Sequence, residues 1–348
     1  MPPKKAPKKP RGQNPPFKVL IFSRTTGYRH TSIPAGIKAI QNLASNISST
    51  IRSPFTANAT EDPAIFDKPR TLFAYRVIIL LQTSGDFLSP SQLTNFQNFV
   101  EKKGGGVVAI HCASCGHPDS EWYSNMIGGV FSDHPVPQNG TITVVDPKHA
   151  ITIYASITNE EPALFPSKDL AQKKPPEPEL TPREKRMLKR KRTISEEGDN
   201  APNPENPQTD PEITYTCHDE WYNFRLHPRQ QAPNIHVLLT VDESTYTGGT
   251  HGPDHPIAWC QEFELTPKTK PKKDDRAFSN SRGSSSAHGR KPVEKPVPLS
   301  ERGGRSFYTA LGHFDKAYED PRFMSQLTGA ILWTAKGVLM VDVWVPVR

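Results

Sequence analysis

Residues 104–115, Gly-Gly-Gly-Val-Val-Ala-Ile-His-Cys-Ala-Ser-Cys, constrain the fold more than any other stretch of this chain. A short apolar run that ends abruptly in a polar residue reads as a buried parallel strand opening into a tight turn. Open α/β sheets bind ligands outside the carboxyl ends of such strands, and nucleophiles sit on strand–turn–helix elbows there. Here the elbow residue is His111, followed at once by Cys112.

The same logic recurs along the chain. Residues 17–23 and 76–81 are further apolar runs that read as buried strands. Between them Ser32 can cap a helix whose first turn holds Pro34, with Ile37, Ile40 and Leu43 at helical spacing. A strand is expected at 50–56, although Pro54 weakens it. Ser89-Pro-Ser-Gln-Leu opens a second helix that carries Leu93, Phe96 and Val100 and stops at Gly104. Later residues 141–145, 213–216, 237–241, 257–263 and 306–310 look extended, and 321–334 forms a terminal helix. The expected fold is α/β: a doubly wound, mostly parallel sheet with antiparallel strand additions.

Composition sets the boundaries. Proline, at 36 of 348 residues, is about twice its usual share. It concentrates in 1–16, 166–212 and 265–301, which lack apolar periodicity and cannot offset their ordering entropy by burial. The chain is therefore read as a disordered basic tail, 1–16, and one domain, 17–348, with disordered inserts at 166–212 and 265–301. Two domains divided at 166–212 are the alternative.

Charge follows the same division. Residues 1–18 hold six basic groups and no acid, 265–301 nine against four, and 166–212 ten against ten. The whole-chain charge of +7 thus leaves a core of roughly −4. Any nucleic-acid contact is expected only through the tails, and none in the core. The run Arg183-Glu-Lys-Arg-Met-Leu-Lys-Arg-Lys-Arg192 is a candidate nuclear localisation signal, or equally a solvated linker. With no apolar leader and no run of about 20 apolar residues, the expectation is a soluble cytoplasmic or nuclear protein without a signal peptide. Four cysteines are too few and too scattered for a disulfide framework; Cys112 and Cys115 form one C-x-x-C.

Histidines fall repeatedly just after strands. His30 follows the first, His111 the central one and His313 a later one, while Asp-His-Pro occurs twice, around His134 and His255. Each could transfer protons or ligate metal, or instead organise its loop through backbone hydrogen bonds. No two of these five show close ligand spacing such as H-x-x-x-H, so a divalent metal is allowed but not indicated; His30, His111 and His134 are its candidates. In His218-Asp-Glu-Trp-Tyr-Asn223, Asp219 and Glu220 point to opposite sides if extended, and Glu220 is favoured for the site.

Taken together, these motifs resemble the ThuA-like (trehalose utilisation) family, within the class I glutamine amidotransferase-like superfamily and near the flavodoxin-like folds. The resemblance is carried by Gly27-Tyr-Arg-His-Thr-Ser-Ile, Gly104-Gly-Gly…Ile-His111, Gly128-Gly-Val-Phe…His-Pro135, Asp219-Glu-Trp-Tyr, Asp254-His-Pro-Ile-Ala-Trp259 and Tyr308-Thr-Ala-Leu-Gly-His313. They cover nearly all of the presumed core; the inserts and tails lie outside the pattern. Amidotransferases of that superfamily place a cysteine at the elbow, where this chain has His111. Cys112 is one residue late, which is expected to point its sulfur elsewhere, so the glutaminase reaction is not expected.

The resemblance implies a carbohydrate-active enzyme, a hydrolase, lyase or isomerase, working on a small-molecule sugar or keto-sugar. His111, His30 and Glu220 are the candidate catalytic residues. Arg29, His134, Asp219, Trp221, His255, Trp259 and His313 are candidates for holding substrate, with both indoles stacked on the ring. The alternative is a non-catalytic sugar-binding or interaction module tethered by its basic tails. A cysteine enzyme using Cys112 or Cys115 is a third reading. Which sugar, which reaction and which oligomeric state stay open.

Overall fold

The computed structural model describes residues 16–47, 54–153, 213–264 and 303–336. Most of the basic tail and all of both inserts, including the run 183–192, lie outside the described residues. The described elements begin with β1 (Phe17–Phe22), α1 (Ile33–Ile47), β2 (Phe55–Thr60), a short α2 (Pro69–Leu72) and β3 (Val77–Leu81). They continue with α3 (Pro90–Glu101), β4 (Gly106–Ile110), α4 (Glu121–Ile127), β5 (Phe131–Asp133) and β6 (Gln138–Val144). After the second gap come β7 (Ile213–Asp219), β8 (Asn223–Phe224), α5 (Pro228–Gln231), β9 (His236–Asp242), β10 (Pro256–Glu262), β11 (Arg305–Thr309) and α6 (Pro321–Thr334).

A nine-stranded mixed sheet in the order β2-β1-β3-β4-β11-β10-β9-β6-β7 forms the centre. From β2 to β11 every pair is parallel; from β11 to β7 every pair is antiparallel. Strands β3 and β4 are buried at every residue, which explains their unbroken apolar sequences. By contrast β2, at the sheet edge, reads Phe-Thr-Ala-Asn-Ala-Thr and is only partly buried. It starts at Phe55, after Pro54, whereas the sequence placed a strand at 50–56; residues 50–53 lie outside the described part. Proline at the mouth of an edge strand costs no ladder hydrogen bond.

The helices start where the chain chemistry dictates. At α3, Ser89 and Gln92 form a reciprocal capping box with Pro90 in the first turn. At α6, the Asp320 carboxylate accepts from the Arg322 and Phe323 amides, again ahead of a proline. Ser32 behaves differently from the expected cap. Its hydroxyl donates to the His313 carbonyl at 2.6 Å and meets the Gln82 amide at 3.0 Å. That hydroxyl ties two loops of the carboxyl edge together. No helix among the described residues is long and apolar enough to cross a membrane.

The sheet order has a direct consequence for chemistry. Strands β1, β3, β4 and β11 are consecutive in the sheet and run parallel, so the loops after Phe22, Leu81, Ile110 and Thr309 emerge at one edge. The segment after β7 returns as β8, which pairs with β5 in a separate two-stranded ribbon. This brings residues 220–222 against His111.

Candidate active site

His111 is the first residue after β4, and its φ of +53° lies in the left-handed region that non-glycine residues avoid. Gln82, the first residue after the neighbouring β3, has the same unusual backbone at +52°. Backbone strain of this kind costs about 1–3 kcal/mol and persists only where surrounding contacts over-determine it. At His111 they do. Its Nδ1–H donates to the Ala310 carbonyl at 2.6 Å, while Tyr308 donates its hydroxyl to the His111 carbonyl at 3.0 Å. The tautomer is thereby fixed, and the Nε2 lone pair faces the edge of the sheet.

Around that lone pair three other groups converge. His30 Nε2 lies 3.1 Å from His111 Nε2, Tyr222 Oη 2.9 Å, and Glu220 Oε2 3.3 Å. His313 Nδ1 lies 3.1 Å from the same Glu220 oxygen. His134 Nε2 approaches the other Glu220 oxygen at 3.5 Å and its ring stacks on Tyr222. Burial by itself would raise the Glu220 pKa, but the His111 and His313 imidazoles beside it hold it well below the usual carboxylate range. Burial likewise opposes charge on His313, yet Glu220 wins and raises it. Burial lowers the His30 pKa.

Asp219 plays a different part from Glu220, as the alternation of an extended segment requires. It is buried, and its carboxylate accepts the Glu220, Gly312 and His313 amides at 2.8, 2.9 and 3.2 Å. Burial nevertheless raises its pKa, against the pull of His111 and those amides. Gly312 sits at φ +113°, a conformation that makes room for this turn. Asp219 therefore shapes the loop that presents His313 and is itself spent on backbone.

Several sequence-derived candidates lie elsewhere. Trp221 and Trp259 are fully buried, and their indoles donate to the Gln138 and Ile127 carbonyls at 3.0 and 2.7 Å. Neither face is open to a sugar, so the expected ring stacking is corrected: both are core residues. Trp259→Ala should accordingly cost about 3–5 kcal/mol in urea unfolding. Trp259→Phe, which keeps most of the ring packing, should leave KM unchanged, and a raised KM would return the indole to the site. Arg29 is half exposed and pairs with Glu61 at 2.7 Å, away from the histidines.

His255 is buried beneath the site. One ring nitrogen meets Glu243 at 2.7 Å and the other donates to the Tyr222 carbonyl at 2.9 Å. It supports Tyr222 and is not open to substrate. Its neighbour His251 accepts the Phe224 amide on Nε2 at 3.0 Å, which requires a neutral ring. Burial, with His255 and His227 nearby, lowers the His251 pKa to about 4. Its folded pKa lies below the ordinary value of about 6.5, so the neutral form supports stability above that pH. Stability should fall as pH drops from about 6.5 towards 4, and His251→Asn should flatten that slope in Tm-against-pH curves.

One site residue escaped the sequence reading and a second was misplaced by it. Tyr222 is two positions from Glu220, so an extended strand puts both on one face, a signal that was available. Cys112 is a correction. Residues 111–115 form a tight 3-10 turn, and the Cys112 thiol lies beside His30, Cys115 and Tyr222 instead of pointing away. A hydrogen bond from Cys115 pulls the Cys112 pKa down against burial, with His30 adding to the effect. All four cysteines are free thiols.

Beside the cluster opens a cavity of about 820 Å³, walled in part by Thr31, His218, His313, Phe314, Asp315 and Lys316. Comparison with solved structures places this architecture. A ThuA-like protein from Bacteroides uniformis is 18% identical with a TM-score of 0.51, over 96% of this chain and 95% of its own. A ThuA-like protein from Parabacteroides merdae is 14% identical with a TM-score of 0.53, over 94% and 93%. No curated protein matches the chain. The sequence profile of the ThuA family, described as trehalose utilisation, matches residues 18–161 and 193–334, the second span running through 265–301. The chain belongs to the ThuA, or trehalose utilisation, family.

Proposed function

We propose that this chain is a carbohydrate-active enzyme that acts on a sugar or keto-sugar at the carboxyl edge of its sheet. The observation that carries the reading is the convergence of His30, His111, His313 and Glu220, with atoms 3.1–3.3 Å apart, beside a sugar-sized cavity. The cavity wall supports a polyhydroxylated ligand. Asp315, Lys316 and Thr31 supply acceptors and donors, and His218 stacked on Phe314 gives a flat ring surface. In this reading His111 and His30 supply the reacting groups as acid–base or metal-ligating imidazoles. Glu220 holds His313 and His111, His134 stands at the open side, and Asp219 fixes the loop. The family description, trehalose utilisation, agrees with the substrate class.

The test is a product screen by NMR, with trehalose, other disaccharides and their keto forms incubated with the full chain. Conversion that disappears in His111→Ala supports the enzyme. Saturable binding without conversion across the panel assigns the chain to the non-catalytic sugar-binding alternative.

One observation favours a second reading. Cys112, beside His30 and with its pKa lowered, has the surroundings of a cysteine nucleophile. Cys112→Ser separates the two: a sugar enzyme centred on His111 keeps most of its turnover, and a cysteine enzyme loses it. The basic run at 183–192 supports nuclear entry, which mutation of its seven Lys and Arg residues should abolish in a fluorescent fusion.

A further inference from the structure

Four donor atoms at the carboxyl edge converge on one point. His30, His111, His313 and Glu220 each offer one, and all four lie within 4.8 Å of one another. Three of the separations are 3.1, 3.3 and 3.1 Å. Ligands bound to zinc at about 2.0–2.1 Å in tetrahedral geometry stand roughly 3.3 Å apart, so these spacings already match the edges of a coordination tetrahedron. The longer separations need only small side-chain rotations.

Hydrogen bonding makes the same point independently. The Ala310 carbonyl takes the Nδ1 proton of His111, which leaves Nε2 as a lone pair facing both His30 Nε2 and the Tyr222 hydroxyl. His30 is buried, and its own Nδ1 has no hydrogen-bond partner. Two imidazoles thus face each other nitrogen to nitrogen in a buried site, with a half-satisfied ring on one side. A cation between them uses both lone pairs and frees the proton of His30 for Nδ1. The outer contacts match those of a metal centre: a backbone carbonyl orients His111, and Asp219 clamps the loop of His313.

We infer that His30, His111, His313 and Glu220 form a binding site for a single divalent first-row transition-metal ion. The donor set is three neutral imidazoles and one carboxylate, which suits zinc, iron, cobalt or manganese and disfavours calcium and magnesium, whose ligands are oxygens. A single anion among the ligands leaves a bound dication with net charge +1, balanced by the Asp219 carboxylate immediately behind. His134 is left outside the set, at the open side of Glu220. The ligands come from positions 30, 111, 220 and 313, one per chain segment, so no local spacing announces them. A second histidine group, His227, His251 and His255, makes a useful contrast. Its ring nitrogens are engaged by Asp254, Phe224, Glu243 and Tyr222, which leaves no comparable set of lone pairs. The inference does not depend on the substrate being a sugar.

The experiment uses the full chain, purified without a histidine tag, stripped with chelator and dialysed. Zinc is titrated by calorimetry, and cobalt(II) is followed by its visible absorption. One equivalent of zinc and visible cobalt bands of a four- or five-coordinate centre are expected. Glu220→Gln and His313→Ala should each abolish stoichiometric uptake with their circular dichroism unchanged, and Asp219→Asn should weaken it about 10–100-fold. His251→Asn and Cys112→Ser should retain one equivalent. Less than about a tenth of an equivalent in the parent protein would overturn the inference. So would full uptake in the His111→Ala/His313→Ala double variant, or uptake lost in Cys112→Ser and kept in Glu220→Gln. Because Glu220→Gln is isosteric, the test survives if an alanine variant fails to fold.

Discussion

His111→Asn is expected to lower kcat/KM on the sugar identified in the product screen by at least about 10³-fold, with Tm changed by only a few degrees. The magnitude follows from what is removed. A positioned imidazole in proton transfer alone contributes about 10²–10⁴-fold. Here the same atom, Nε2, is also the meeting point of His30, Tyr222 and Glu220. Asparagine is the better test residue than alanine because it tolerates the left-handed backbone found at position 111. Its shorter side chain cannot both reach the Ala310 carbonyl and present a lone pair to His30. Loss of folding would show in the Tm, and a full-activity variant with normal Tm would reduce His111 to a residue that shapes the turn. The metal titration on the same variant separates causes. Lost activity with lost zinc uptake assigns His111 to the metal, and lost activity with uptake retained assigns it to proton transfer.

How far this arrangement was legible in the sequence depends on how local each signal is. Strands β3 and β4, and β1 from Val19 onward, are continuous apolar runs because both faces are covered, so their existence and the elbow at His111 could be read directly. The edge strand β2 shows small and polar residues on a partly exposed surface, and its position was misjudged by several residues. Neither β5 nor β8, at three and two residues, is long enough to leave a periodic trace. His30, His111 and His313 stood out because each follows a strand, a local pattern. Their meeting was not legible, since it depends on β1, β3, β4 and β11 lying side by side and on residues 219–224 returning across them.

Aromatic residues show the limit most clearly. In Glu220-Trp221-Tyr222 the sequence offers two large rings, and hydrophobicity does not say which one meets the cleft. The indole is buried against Gln138 while the phenol touches His111. The alternation that separated Asp219 from Glu220 extends one step further to separate Trp221 from Tyr222. Cys112 was misplaced for the complementary reason. Its direction follows from a 3-10 turn at 111–115, where the two-residue alternation of a strand no longer applies.

Asp219→Ala should be among the most destabilising single polar substitutions at the site, costing about 3 kcal/mol and lowering Tm by roughly 6–12 °C. Three amides lose their acceptor at once: those of Glu220, Gly312 and His313. A buried donor left without a partner costs about 1–3 kcal/mol, and Gly312 in its left-handed turn has no alternative conformation to offer its amide. The loss is offset in part because the alanine no longer carries a buried charge. Asp219→Asn keeps one carbonyl oxygen for these amides and should recover more than half of the stability. Activity should follow the loop: turnover falls in Asp219→Ala with His313 displaced, and largely returns in Asp219→Asn. That partial rescue distinguishes a positioning role from direct participation. If Asp219→Ala kept the parent Tm and lost all turnover, and Asp219→Asn were equally inactive, the carboxylate would itself have to act on substrate.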